Sequence, residues 1–265
     1  MRLSPFPDKQ TLLNIYSQDD YFDNYYATAD GIKGYTDAGI DIFRNDSLVL
    51  KRIREYKTRG RLLDIGCAGG HFLANAKKLS FETYGVEINK KMVDHARHAN
   101  QLKVFEGDLA GADFEEGYFD IIYAQDVLEH MLDLNKNIEI IKKILNKDGI
   151  FVINQPLTYN KSLNNLFLAA NMFFKKDRFS KYPPTHLWEF NAKTLKDYLI
   201  KSGFQILRYS LMESKAKPFN AKEGVDFKRL CGYCIKNLSS IVSNLKLLKR
   251  FNLGDRALVV CRKGR

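Results

Sequence analysis

Short apolar runs alternate with helical stretches from residue 61 to residue 155: RLLDI (61 to 65), TYGVEI (83 to 88), LKVFEG (102 to 107), FDIIYAQ (119 to 125) and GIFVINQ (149 to 155). The runs lack strict polar alternation, which fits strands buried on both faces. The stretches 70 to 79, 89 to 99 and 133 to 146 read as helices, the last carrying Ile138, Ile141 and Leu145 on one side, and they supply the crossovers between parallel strands. An α/β layered domain with a largely parallel sheet follows. A helix at 191 to 202 and strands at FQILRYS (204 to 210) and RALVVCRK (256 to 263) extend it.

Two pieces interrupt this order. Residues 156 to 190 carry Pro156, Pro183 and Pro184 around the apolar LNNLFLAANMFF (163 to 174), and a basic, irregular piece spans 211 to 254. Both are expected as insertions on one core, places where substrate specificity is built. Residues 1 to 57 read as a helical N-terminal extension with a tyrosine cluster, and 58 to 265 as the main domain, a division that suits a 265-residue chain closing a single core. Tyr25, Tyr26 and Tyr35 could form an aromatic lid or simply pack a surface helix.

The formal net charge of +11 comes from the end of the chain, where residues 201 to 265 hold 15 basic and 4 acidic side chains. Such a region suits nucleic acid, an anionic membrane, an acidic substrate or plain solvation. Pro5 and Pro7 followed by acidic residues make no signal peptide, and no run of about 18 apolar residues occurs, so a cytoplasmic protein is expected. Four cysteines are too few for a disulfide scaffold, and Cys231-x-x-Cys234 lacks a second thiol pair or a spaced histidine cluster, so no metal site is expected.

DIGCAGG (64 to 70) lies where the first strand ends and a helix begins. Glycines there let a ligand approach backbone N–H groups that a helix N-terminus leaves unpaired. The turn has no lysine, which excludes a triphosphate loop, and Ala68 replaces the middle glycine of the dinucleotide fingerprint. Glu87 ends the second strand 21 residues beyond Gly66, where an acid can accept from both hydroxyls of a ribose. Together they imply an adenosine-type ligand across the carboxyl ends of the strands.

These residues resemble class I S-adenosylmethionine-dependent methyltransferases, in the small-molecule branch that includes ubiquinone-biosynthesis and sugar or natural-product enzymes. Asp64, Gly66, Ala68 and Gly70 match the acid and glycine motif, EGDL (106 to 109) the adenine-flanking segment, and FDIIYAQDVLEHM (119 to 131) the fourth strand and its loop. LNKDGIFVINQP (145 to 156) and YLIKSGFQI (198 to 206) match the fifth strand and the approach to the sixth. The resemblance implies S-adenosyl-L-methionine as cofactor and a Rossmann-like, seven-stranded, mostly parallel sheet. Its last strand would lie antiparallel beside the fifth, with a helical N-terminal extension and an inserted substrate cap. It further implies that Asp64 steers the methionine amino end, that Glu87 holds the ribose, that Asp108 faces the adenine amine and that Leu109 covers its ring. Cys67, Ile88 and Gln125 complete the expected cofactor set.

A sulfonium methyl is already activated, so in-line placement and a closed pocket supply much of the acceleration. His186, in PPTHLWEF, and His130, after the fourth strand, are the candidate bases, each weighed against an ordinary hydrogen-bonded loop histidine. The expected partner is a small-molecule substrate, with a sugar, sugar nucleotide, polysaccharide or natural-product intermediate placed first. A membrane lipid, quinone or lipid-linked precursor stands second. It would be reached by peripheral contact through 163 to 174 or through the basic amphipathic LSSIVSNLKLLKRF (238 to 251), which could equally cap the sheet. AQDVLEH at the fourth-strand end is not an Asn/Asp-Pro-Pro-aromatic motif, which argues against nucleic acid. A non-catalytic binding protein of the same fold is the remaining reading, and the sequence sets no oligomeric state.

Overall fold

The computed structural model describes residues 7–16, 46–158, 160, 186–212 and 254–264. Helices α1 (Lys9–Tyr16) and α2 (Asp46–Arg54) precede β1 (Gly60–Ile65), α3 (His71–Lys78), β2 (Phe81–Glu87), α4 (Lys90–His98), β3 (Lys103–Glu106) and β4 (Phe119–Gln125). Then come α5 (Leu134–Ile144), β5 (Leu145–Pro156), α6 (Ala192–Lys201), β6 (Phe204–Met212) and β7 (Arg256–Lys263). The seven strands lie in the order β3-β2-β1-β4-β5-β7-β6. β1 pairs in parallel with both β2 and β4, and β7 pairs antiparallel with β5 and β6. The expected sheet and the antiparallel placement of the last strand beside the fifth are both observed.

Alternate residues of the central strands feed two cores, as the two-residue period of a strand requires. Leu63, Ile65, Ile122, Ala124, Phe151 and Ile153 face α5 and α6, whose Ile138, Ile141, Leu195 and Leu199 complete one apolar layer. Leu62, Ile121, Tyr123, Ile150 and Val152 face the other way, toward Val49 and Ile53 of α2, Leu73 of α3 and Val93 of α4. α2 is thus part of the sheet's packing although it lies in the segment 1 to 57 expected from the sequence as an N-terminal extension. The apolar runs are continuous because both faces of the sheet are covered.

One boundary differs from the sequence reading. The helix expected to 146 ends at Ile144, and the strand expected from 149 begins at Leu145. Leu145 takes an extended conformation and pairs with Phe119, after which the register shifts so that Ile150 pairs with Ile121. Asn146 holds the intervening bulge by accepting from the Asp148 N–H at 3.2 Å. A helical hydrophobic period carried into the bulge hid this change.

Strand order reverses at β1, between β2 and β4, and the turn after β1 therefore opens on the crevice where ligands of such sheets bind. No described helix is long and apolar enough to cross a membrane. The tyrosine cluster, the apolar segment 163 to 174, the basic segment 238 to 251 and the Cys231/Cys234 pair lie outside the described residues.

Candidate active site

The turn after β1 is held from two sides. Gly66 and Cys67 donate their N–H groups to the Val86 carbonyl at 2.8 and 3.2 Å, which ties the turn to β2. Gly66 (φ 70°), Ala68 (φ 45°) and Gly70 (φ 79°) all sit in the left-handed region. A Cβ on Gly66 would stand 2.7 Å from Val127 Cγ2, and one on Gly70 would stand 2.4 Å from Leu102 Cδ1. Glycine is required here by backbone conformation and by neighbours within the protein. Ala68 bears the strain that a middle glycine would avoid.

Glu87 is the centre of the arrangement. One carboxylate oxygen accepts from the Ala68 N–H at 2.9 Å, and the other from the Ile88 and Asn89 N–H groups at 2.8 Å each. The side chain therefore staples the glycine turn to the start of α4. A carboxylate offers about four lone-pair sites, so three backbone bonds leave capacity for a hydroxyl donor. Asn89 caps α4 by accepting from the Met92 N–H at 3.1 Å and donates to the Tyr16 carbonyl at 2.8 Å, which brings the end of α1 to the same corner. The N-terminus of α3 has no side-chain cap.

Three buried acids collect beside this turn: Asp46 at the start of α2, Asp64 in β1 and Glu87. Burial raises all three carboxyls, and the negative neighbours Asp46 and Glu87 raise Asp64 further. Among the described residues no salt bridge reaches any of them. Such a group of acids favours a bound cation. Asp46 was not among the sequence candidates, since it precedes the first strand and nothing local marks it.

Asp46 gives a direct pH test. Its carboxyl is pushed from 3.8 up to about 6, chiefly by burial. With the folded pKa raised, its contribution to stability is fully present below about pH 4 and is lost as pH rises through about 6. Asp46→Asn is therefore expected to be more stable than the parent at pH 8 by up to about 3 kcal/mol, with the difference vanishing near pH 4. Chemical denaturation of the ligand-free chain at both pH values checks it, and a pH-independent difference would contradict the assignment.

The other sequence candidates fall on the same edge. Asp108 caps the short 3-10 turn Leu109–Gly111 by accepting from the Gly111 N–H at 2.9 Å. The Leu109 side chain is buried in the α5-side core. Cys67 is buried, and desolvation pushes its thiol well up, which leaves it unreactive. Gln125 accepts from the Tyr123 hydroxyl at 2.5 Å and from Asn154 at 3.3 Å. A shallow cleft lined by Tyr56, Lys57 and Asp120 lies at the amino ends of β1 and β4, away from the turn.

His130 and His186, the two candidate bases, are brought together with ring centroids 5.1 Å apart. The segment carrying His186 is pinned there because the Leu187 and Trp188 N–H groups donate to the Glu129 carbonyl at 2.7 and 3.1 Å. Beside the histidines lies Glu129, 1% exposed, whose carboxyl burial pushes up to about 7. Burial is also what lowers His186. Next to them, Arg256 of β7 donates to Asp126 at 2.5 Å and to the Asn154 side chain at 3.1 Å. Asp126 stands at φ 53°, a further strained residue at the carboxyl end of β4. Glu129 and Arg256 were not among the sequence candidates. Glu129 had one visible signal in the sequence, its place in Leu128-Glu129-His130 directly before a candidate base.

Comparison with known proteins agrees with this geometry. A methyltransferase-domain family profile matches residues 42–209. A ubiquinone biosynthesis O-methyltransferase of Pelagibacter ubique (strain HTCC1062) is 30% identical over 152 residues, covering 52% of this chain and 60% of that protein. Phosphoethanolamine N-methyltransferase 2 of Caenorhabditis elegans is 23% identical over 211 residues, 71% of this chain and 46% of its own length. The chain thus spans about two-fifths to three-fifths of the length of the curated relatives it matches. Among solved structures, a SAM-dependent methyltransferase from Archaeoglobus fulgidus superposes with a TM-score of 0.55 at 21% identity, over 86% of this chain and 100% of that one. The profile match covers well over half of the sequence, and the chain belongs to the methyltransferase-domain family.

Proposed function

We propose that this chain transfers a methyl group from S-adenosyl-L-methionine to a small-molecule acceptor. The observation that carries the reading is the acid group of Asp46, Asp64 and Glu87 at the strand-order reversal, beside a glycine turn and an uncapped helix N-terminus. That donor set fits a zwitterionic, sulfonium-bearing nucleoside. Asp64 and Asp46 would face its positive groups, and the first N–H groups of α3 would serve its carboxylate. The remaining lone-pair capacity of Glu87 would serve the ribose, and Asp108, Leu109, Ile88 and Gln125 would line the base and methionyl ends. When bound, the cofactor supplies an activated methyl group. The protein's part is to align the acceptor and exclude water.

The acceptor remains within the small-molecule class, with sugars and natural-product intermediates as the first reading. The repeated similarity to ubiquinone-biosynthesis O-methyltransferases favours a phenolic quinone precursor as the second. His186, beside His130 and Glu129, would sit at the acceptor end. Incubation with methyl-labelled cofactor and separate pools of sugar nucleotides, catechol-type phenols, amines and tRNA tests the proposal. Label should enter one small-molecule pool. Label in tRNA alone, or in none of the pools despite cofactor binding, would contradict it.

A further inference from the structure

We propose that Glu129, His130 and His186 form a binding site for a divalent transition-metal ion of the zinc, cobalt or manganese kind. The three residues each offer one ligand atom, and these atoms all lie within 4.8 Å of one another. Glu129 Oε1 stands 3.9 Å from His130 Nε2, too far for a hydrogen bond. Donors that share a tetrahedral ion at about 2.1 Å stand about 3.4 Å apart, so the Glu129–His130 pair needs a contraction of about 0.5 Å and the site as a whole must close from separations of up to 4.8 Å.

A second, independent observation points to a ligand. Glu129 is 1% exposed, yet its Oε1 has no hydrogen-bond partner among the described residues. An unsatisfied buried carboxylate oxygen is costly, and the other oxygen of the same group is satisfied by Gln155 Nε2 at 2.9 Å. The orphan oxygen is the one turned toward His130.

The surroundings are those of a prepared site. His130 Nδ1 is hydrogen-bonded to the Tyr16 hydroxyl at 2.8 Å, which fixes the ring with Nε2 toward Glu129. Metal-ligating histidines are oriented in this way by a partner on the other ring nitrogen. Both ends of the site are anchored by backbone, since Leu187 and Trp188 bond to the Glu129 carbonyl. The nearby guanidinium of Arg256 is committed to Asp126 and Asn154.

Two imidazoles and one carboxylate suit zinc and its first-row neighbours better than magnesium or calcium, which prefer all-oxygen sets. Three protein ligands would leave at least one position for water or an acceptor oxygen. The sequence, with no second thiol pair and no spaced histidine cluster, leads to the expectation of no metal site; the fold departs from it by bringing Glu129 and His130 together with His186 from a separate segment.

The test is Co²⁺ titration of the full chain carrying Cys231→Ser and Cys234→Ser, followed by visible absorption and equilibrium dialysis. One Co²⁺ per chain should bind, with ligand-field bands that Zn²⁺ displaces. Glu129→Gln and His186→Asn, each confirmed folded by circular dichroism, should each weaken binding by about tenfold or more and remove the bands. His186→Asn serves on its own if Glu129→Gln does not fold. Affinity for S-adenosylhomocysteine should persist in His186→Asn, which separates loss of this site from failure of the cofactor reading. No saturable binding in the parent, or binding that His186→Asn leaves unchanged, would overturn the proposal.

Discussion

Glu87→Ala is expected to unfold more easily than the parent by about 3–5 kcal/mol and to lose measurable affinity for S-adenosylhomocysteine. The size of the effect follows from what the carboxylate holds. Three backbone N–H groups, those of Ala68, Ile88 and Asn89, lose their acceptor at once, and two of these residues are buried. For a chain of this length the midpoint should fall on the order of 10 °C. Glu87→Gln keeps one acceptor oxygen but turns an NH2 group toward N–H donors, so its loss should be intermediate. Thermal unfolding with and without S-adenosylhomocysteine checks both variants. A Glu87→Ala midpoint within a degree of the parent would contradict the stapling role, and retained affinity would contradict the ligand role.

Gly70→Val is expected to cost about 3–5 kcal/mol through two separate causes. A β-branched residue is strongly disfavoured at φ 79°, and its Cβ would fall 2.4 Å from Leu102 Cδ1 and 3.2 Å from Ala96 Cβ. The packing part can be isolated. Leu102→Ala should partly relieve Gly70→Ala, giving a favourable coupling in a double-mutant cycle, because it removes the atom in the way. Strict additivity in urea denaturation would show that backbone strain alone is at work. Because the glycines meet protein atoms, bulky substitutions at Gly66 or Gly70 report on folding before they report on ligand binding.

The central strands were legible because their apolar runs are buried on both faces, whereas the edge strand β3 buries only Val104 and leaves Phe105 exposed; the crossover helices carry one apolar side each. The end of α5 was not, since Leu145 continues the helical period while already pairing with Phe119 as strand. The glycine turn and Glu87 were legible as a ligand corner, but the use of Glu87 oxygens by three N–H groups depends on the fold of the turn. Asp46 and Arg256 were hidden for a different reason. They come from α2 and β7, far apart in sequence, and only the packing of α2 and the insertion of β7 beside β5 bring them to the carboxyl edge. His130 and His186 were expected as candidate bases near the pocket mouth, and the structure brings them together with a buried acid beside them.

The central claim is that the acid-rich turn at the carboxyl ends of β1 and β2 receives the nucleoside of the methyl donor. Isothermal calorimetry of S-adenosylhomocysteine with the intact chain tests it most directly. The account predicts saturable binding at one site per chain, with adenosine competing for it and NAD failing to do so. Absence of binding, or equal competition by NAD, would contradict it.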